Sequence, residues 1–132
     1  MDVPLSCRCG RVRGVARGVS AATGFRFVCY CADCRAVLRL LGRAAALDEA
    51  GGTDVFQLPP ARVALTDGVE ELRSLKLSEG AFVLRWYTAC CKTPIGNTAT
   101  TPRFPMLGMV HTFMQLEGRA RDEALGPPRC RI

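Results

Sequence analysis

Cys29-Tyr30-Cys31-Ala32-Asp33-Cys34 places three thiols within six residues. All three sulfurs can converge on one ion if the segment turns into a helix at its end. Thiolates are soft ligands that zinc accepts at tetrahedral geometry, so zinc is the first choice of metal and iron the second. Upstream, Gly24-Phe25-Arg26-Phe27-Val28 alternates as a strand and delivers the chain into Cys29. Downstream, the apolar positions Ala36, Val37, Leu38, Leu40 and Leu41 fit a short helix within 32–41, ending near Gly42. The cluster therefore sits at a strand-to-helix junction.

Two further clusters flank it in the chain. Cys7-Arg8-Cys9-Gly10 pairs two thiols and follows them with a glycine that lets the backbone fold back toward a bound ion; Cys90-Cys91-Lys92-Thr93-Pro94 places two more directly after a strand pattern. Free cysteines are commonly just small buried hydrophobes, but seven of the eight here fall in tight clusters, which points to metal. Four protein ligands close a structural zinc, whereas three leave a position open for water or substrate. The middle cluster supplies Cys29, Cys31 and Cys34, with no histidine nearby in the sequence. Cys7 and Cys9 need partners from a distant segment, and Cys90 and Cys91 are the pair available. Such a clamp would close a long loop and remove unfolded-state entropy. Cys130 stands alone and is read as a bystander thiol.

The length of 132 residues fits one domain, placed at 1–125 with a fraying tail at 126–132 that begins Gly126-Pro127-Pro128. At 48% apolar and 23% charged residues the chain is far from the composition of a disordered segment. Met1-Asp2-Val3-Pro4 runs into Cys7 without a basic, then apolar, leader, so a disulfide scaffold is not expected and a cytoplasmic, reducing setting is. The apolar stretch 36–47 is broken by Arg39, Gly42 and Arg43, which argues against a membrane span.

The net charge of +6 is uneven: residues 1–43 carry +6, residues 44–79 carry −4 and the remainder +4. This field favours anionic ligands near the N-terminal third. Nucleic-acid binding is not expected, because no helix-turn-helix pattern or aromatic-plus-basic strip accompanies the charge.

Short strands dominate the remaining pattern. Residues 10–20 read as a strand after a tight turn, Val55-Phe56-Gln57-Leu58 as one stopped by Pro59-Pro60, and Met106 to Phe113 as another. Leu72 to Leu77 and Ala81 to Tyr87 flank Ser78-Glu79-Gly80 and form a hairpin, with Phe82, Leu84 and Trp86 on one face and Val83, Arg85 and Tyr87 on the other. The expected fold is mainly β, with about seven strands and one short helix.

These motifs, in this order and over roughly residues 5–115, resemble the glutathione-dependent formaldehyde-activating enzyme family, which shares its domain with centromere protein V. The resemblance implies a small tent-like β-sandwich binding up to two zincs. Cys7, Cys9, Cys90 and Cys91 would hold the structural one, and Cys29, Cys31 and Cys34 would form the reactive centre where a thiol docks. The family's last motif is usually C-x-x-C-G-T-P. Here Thr88 stands where its first cysteine belongs and Lys92 replaces its glycine, so Cys90 has to substitute for Thr88. Adjacent strand residues point to opposite faces, so Cys90 and Cys91 can share an ion only if the chain turns sharply. Tyr30 stands where histidine is often found.

The chemistry implied is zinc-dependent formation or cleavage of a carbon–sulfur bond in a small thiol adduct such as S-hydroxymethylglutathione, with glutathione and a small aldehyde as partners. Arg35, next to Cys34, is the candidate to hold the carboxylates of the thiol. The alternatives are a non-catalytic zinc-stabilised binding module and a thiol-based redox sensor using Cys90 and Cys91. His111 reads as a packed residue, Trp86 and Tyr87 as core and strand-face residues, Asp33 as the helix cap and Asn97 as a turn residue.

Overall fold

Val3 and Leu5 are buried while Pro4 between them is exposed, the alternation of a strand with one face on a core. In the computed structural model, which describes residues 1–132, this strand is β1 (Val3–Ser6). It pairs antiparallel with β2 (Arg13–Ala16), which pairs antiparallel with β5 (Val63–Asp67), giving a three-stranded sheet. The second sheet has seven strands in the order β10-β3-β4-β9-β8-β7-β6. These are β3 (Phe25–Cys29), β4 (Thr53–Leu58), β6 (Leu72–Leu75), β7 (Val83–Thr88), β8 (Pro94–Ala99), β9 (Leu107–Val110) and β10 (Cys130–Arg131). All its pairings are antiparallel except β10 with β3.

The core of 16 buried residues lies where the two sheets meet, with Val3, Leu5, Val12 and Ala16 from the small sheet's side and Phe56, Leu58 and Met109 from the large one. Phe56 is 1% exposed and needs Gly24 opposite it, because a Cβ there would come within 2.2 Å of the ring. Truncating such a ring costs about 3–5 kcal/mol. On β4, Thr53 lies on the face opposite Phe56 and Leu58. That outer face is covered by helix α1 (Ala32–Leu40), whose Val37 and Leu38 border the same small space as Thr53, Arg85 and Val110. Cys34, Val37, Leu38 and Leu41, all buried, recur at helical spacing. Gly42, at φ +71°, ends the helix with its N–H on the Arg39 carbonyl at 3.0 Å, followed by Arg43 on Leu38 at 2.7 Å.

The mainly β architecture, α1, and the β6–β7 hairpin follow the sequence pattern, but there are ten strands rather than about seven, and two helices rather than one. The additional helix, α2 (Gly118–Leu125), buries only Ala124 and Leu125, so its sequence has too little apolar periodicity to announce it. Residues 126–132 do not fray: Ile132 donates to the Val28 carbonyl at 2.9 Å, and Tyr30 donates to the Ile132 carbonyl at 2.6 Å. Asn97 lies within β8, paired with Arg85 and Gly108, rather than in a turn. No helix is long and apolar enough to cross a membrane.

Candidate metal centres

The first cluster is built on tight turns. Gly10, at φ +80°, donates to the Cys7 carbonyl at 3.0 Å, and the Val12 N–H points at the Cys7 sulfur at 3.3 Å. Across the molecule β7 ends at Thr88, and the chain turns at once: Lys92 donates to the Thr88 carbonyl at 2.8 Å, and Lys92 itself adopts φ +57°. This sharp turn is what two adjacent cysteines need to face one point. The sulfur separations are 3.6 Å for Cys7–Cys9, 3.8 Å for Cys7–Cys90 and 3.9 Å for Cys90–Cys91, and all four sulfurs lie within 4.8 Å of one another.

Thr88 is fully buried and takes part in the site without being a ligand. Its hydroxyl accepts the Thr93 N–H at 3.1 Å, which leaves its proton for the Cys91 sulfur at 3.4 Å. The Thr93 hydroxyl accepts the Arg8 N–H at 3.0 Å and lies 3.1 Å from the same sulfur. Burial works against ionisation of Cys91, but these two hydroxyls, with bonds from the Cys9 backbone and the Cys7 thiol, outweigh it and lower the thiol to about 5.

In the second cluster the sulfurs of Cys29, Cys31 and Cys34 lie within 4.8 Å of one another, and no fourth cysteine, histidine or carboxylate joins them. Cys29 ends β3, Cys34 lies in the first turn of α1, and both are buried; Cys31 is exposed. The helix cap is Cys31 rather than Asp33: its sulfur accepts the Cys34 N–H at 3.3 Å. A sulfur has the lone pairs for this role, and the positive end of the helix favours it as an anion. Burial raises Cys34 to about 12, with Cys31 and Cys29 adding to the effect. Cys31 is also disfavoured by burial, yet the Cys34 N–H, the two neighbouring thiols and the charge of Arg85 bring it below the ordinary thiol value.

Arg35 and Arg85 both approach this group, from different elements. Arg35 spends its Nη2 on the Tyr30 carbonyl at 2.9 Å, bracing the loop that carries the cysteines. Arg85, from β7, reaches under α1 and points Nη1 at the Cys34 sulfur at 3.5 Å. Strand alternation puts Arg85 on the face away from Trp86, but nothing local in the sequence says that α1 covers that face.

His111 is packed, with Nε2 3.0 Å from the Ala46 carbonyl, and burial lowers its pKa, with the Arg121 charge adding to the effect. The Trp86 indole N–H donates to Thr98 Oγ1 at 2.8 Å. Cys130 joins neither cluster. The largest cavity, about 740 Å³, is bordered by Cys7, Cys9, Arg43, His111, Gln115 and Arg121; Cys29, Cys31 and Cys34 are not on its wall.

The fold and its thiols together define a small two-sheet β protein with two cysteine groups, of four and three, each close enough to hold one metal ion. The chain belongs to the family described as DUF6151, a family of unknown function, whose model matches residues 1–132. No curated protein matches it. It is similar in fold to the crystal structure of a Rhodobacter sphaeroides protein solved as a structural genomics target, at 18% identity over the whole of both chains and a TM-score of 0.57. The likeness to the formaldehyde-activating family rests on the cysteine motifs alone.

Proposed function

We propose that this protein is a zinc protein with one closed structural site, Cys7, Cys9, Cys90 and Cys91, and one open site, Cys29, Cys31 and Cys34, at which a small thiol adduct forms or breaks a carbon–sulfur bond. The observation that carries the reading is the three-sulfur group with a single exposed member and no fourth protein ligand. Zn–S bonds of about 2.3 Å in a tetrahedron put sulfurs about 3.8 Å apart. The spacings of 3.6, 3.8 and 3.9 Å in the four-cysteine group match that edge.

Zinc in the open group would supply a coordination position for a substrate sulfur and favour its thiolate. The chain's own residues do the rest. Cys29 and Cys34 anchor the group from β3 and α1, and Cys31 presents it to solvent. Arg35 keeps the Tyr30–Cys31 loop in place through the Tyr30 carbonyl. In the reaction the thiol R–SH adds across the carbonyl of a small aldehyde: a C–S bond forms, the C=O bond becomes C–OH, and the thiol proton ends on that oxygen. The reverse direction releases both partners, and no oxidant or reductant is consumed. Glutathione with formaldehyde is the pair that the motif resemblance suggests.

The test is to load the protein with zinc and follow the exchange between glutathione and its hydroxymethyl adduct by NMR. Wild type accelerates exchange, and Cys31→Ala abolishes the acceleration while keeping the fold and one zinc. If Cys31→Ala exchanges as fast as wild type, the catalytic reading is wrong. The second reading, a non-catalytic zinc-stabilised module, is favoured by the position of the 740 Å³ cavity, which does not include the three-cysteine group. It predicts two tightly held zincs and no response of either to added thiol.

A further inference from the structure

Arg85 is 8% exposed, and none of the ion pairs in the molecule includes it. A guanidinium cannot shed its proton to escape burial, and a buried charge is tolerated only beside an opposite one. The space between Cys34, Thr53 and Arg85 is about 10 Å³, room for about one water, which can hydrate the guanidinium but brings no negative charge to balance it. The side-chain contact Arg85 does make is with the Cys34 sulfur at 3.5 Å.

A second orphan faces the same group. The Thr53 hydroxyl is buried without a hydrogen-bond partner, and Thr53 is the cross-strand partner of Cys29, so their side chains share a sheet face. A buried cation without a carboxylate and a buried donor without an acceptor, both beside one set of sulfurs, are what an anionic centre requires of its surroundings. Three thiolates around a divalent ion carry a net charge of −1, which one guanidinium neutralises.

We propose that Arg85 is the counter-ion of the Cys29–Cys31–Cys34 group and a positioning residue for it, holding the metal-loaded group anionic and retentive. The inference rests on the metal reading of that group and adds the residue that sets its affinity. Outer partners of metal ligands typically govern affinity by 10–100-fold.

The experiment is a competition titration of the zinc-loaded full chain against a chromophoric chelator, with circular dichroism as the fold control. Arg85→Met lowers the affinity of the three-cysteine group by about 10–100-fold while the four-cysteine group keeps its zinc. Arg85→Lys, which retains the charge, falls between the two. Arg39→Gln, on the exposed side of α1, removes a charge without changing affinity. Arg85→Gln replaces the methionine variant if that variant does not fold. Equal affinity in wild type and Arg85→Met, or a lysine variant as weak as the methionine one, overturns the counter-ion role and leaves the metal reading standing. A wild type that takes zinc at the four-cysteine group alone overturns both.

Discussion

The sulfurs of Cys7 and Cys90 lie 3.8 Å apart although 83 residues separate them. A metal joining them ties the first turn of the small sheet to the end of β7, and with it the two sheets. Closing a loop of that length is worth about 4 kcal/mol of unfolded-state entropy. Cys90→Ala is therefore expected to lose one zinc per chain and to lower unfolding stability by several kcal/mol. Urea denaturation with metal analysis of the native fraction checks both.

Thr88 gives a subtler handle on the same site. Thr88→Val keeps the shape of the side chain and removes both the acceptor for the Thr93 N–H and the donor to Cys91. The expected cost is about 1–3 kcal/mol of stability with a weaker hold on the metal, and Thr88→Ser should restore most of both.

Lys92 occupies left-handed backbone, at φ +57°, where the motif that Cys91 to Pro94 resembles has glycine. Its ammonium lies 5.2 Å from the Tyr87 ring centre, which offsets part of the strain. Lys92→Gly should leave stability nearly unchanged, whereas Lys92→Val should be less stable than the glycine variant by about 1–2 kcal/mol, since a β-branched residue tolerates this conformation poorly. Thermal unfolding of the two variants side by side measures the difference.

Acid sensitivity should track Asp54. Its carboxylate takes Arg26 on both oxygens, at 3.0 and 2.7 Å, and Arg121 at 3.1 Å. Burial opposes its charge, but these cations prevail and hold its pKa below the ordinary 3.8. A carboxylate whose pKa is depressed by folding contributes fully above the unfolded value and loses that contribution as pH falls below it. Below pH 3.8, then, wild type should lose stability faster than Asp54→Asn. At neutral pH the variant should be less stable by about 1–3 kcal/mol, because Arg26 loses its paired bonds to the Asp54 carboxylate and keeps only one carboxylate, that of Asp122, at 2.7 Å. Taking the difference between the two proteins cancels the acid response of the thiols.

The cysteine groups were legible because metal ligands come in short local spacings, and α1 because the apolar positions Ala36, Val37, Leu38, Leu40 and Leu41 fit a helix, of which Val37, Leu38 and Leu41 are the ones buried. Strands β1, β5, β8 and β10 were not legible. In β8, Pro94 and Gly96 look like turn residues, yet the approach of Gly108, whose carbonyl would lie 2.6 Å from a Cβ at position 96, requires the glycine inside the strand. Strand β10 has only two residues and exists through its pairing with β3. The parts of Thr88 and Arg85 were hidden for a different reason. Each acts through a contact with a sulfur, and which sulfur it meets depends on tertiary placement: a threonine read as a missing cysteine turns out to donate to the cysteine that is there.

Zinc-edge X-ray absorption on the metal-loaded protein, with metal content measured on the same sample, tests the central claim most directly. The account predicts two zincs per chain in a sulfur-dominated shell with one light-atom position, and that position turning to sulfur when a small thiol is added. A chain that binds no zinc, or one that binds a single zinc while Cys29, Cys31 and Cys34 all react freely with a thiol reagent, would contradict it.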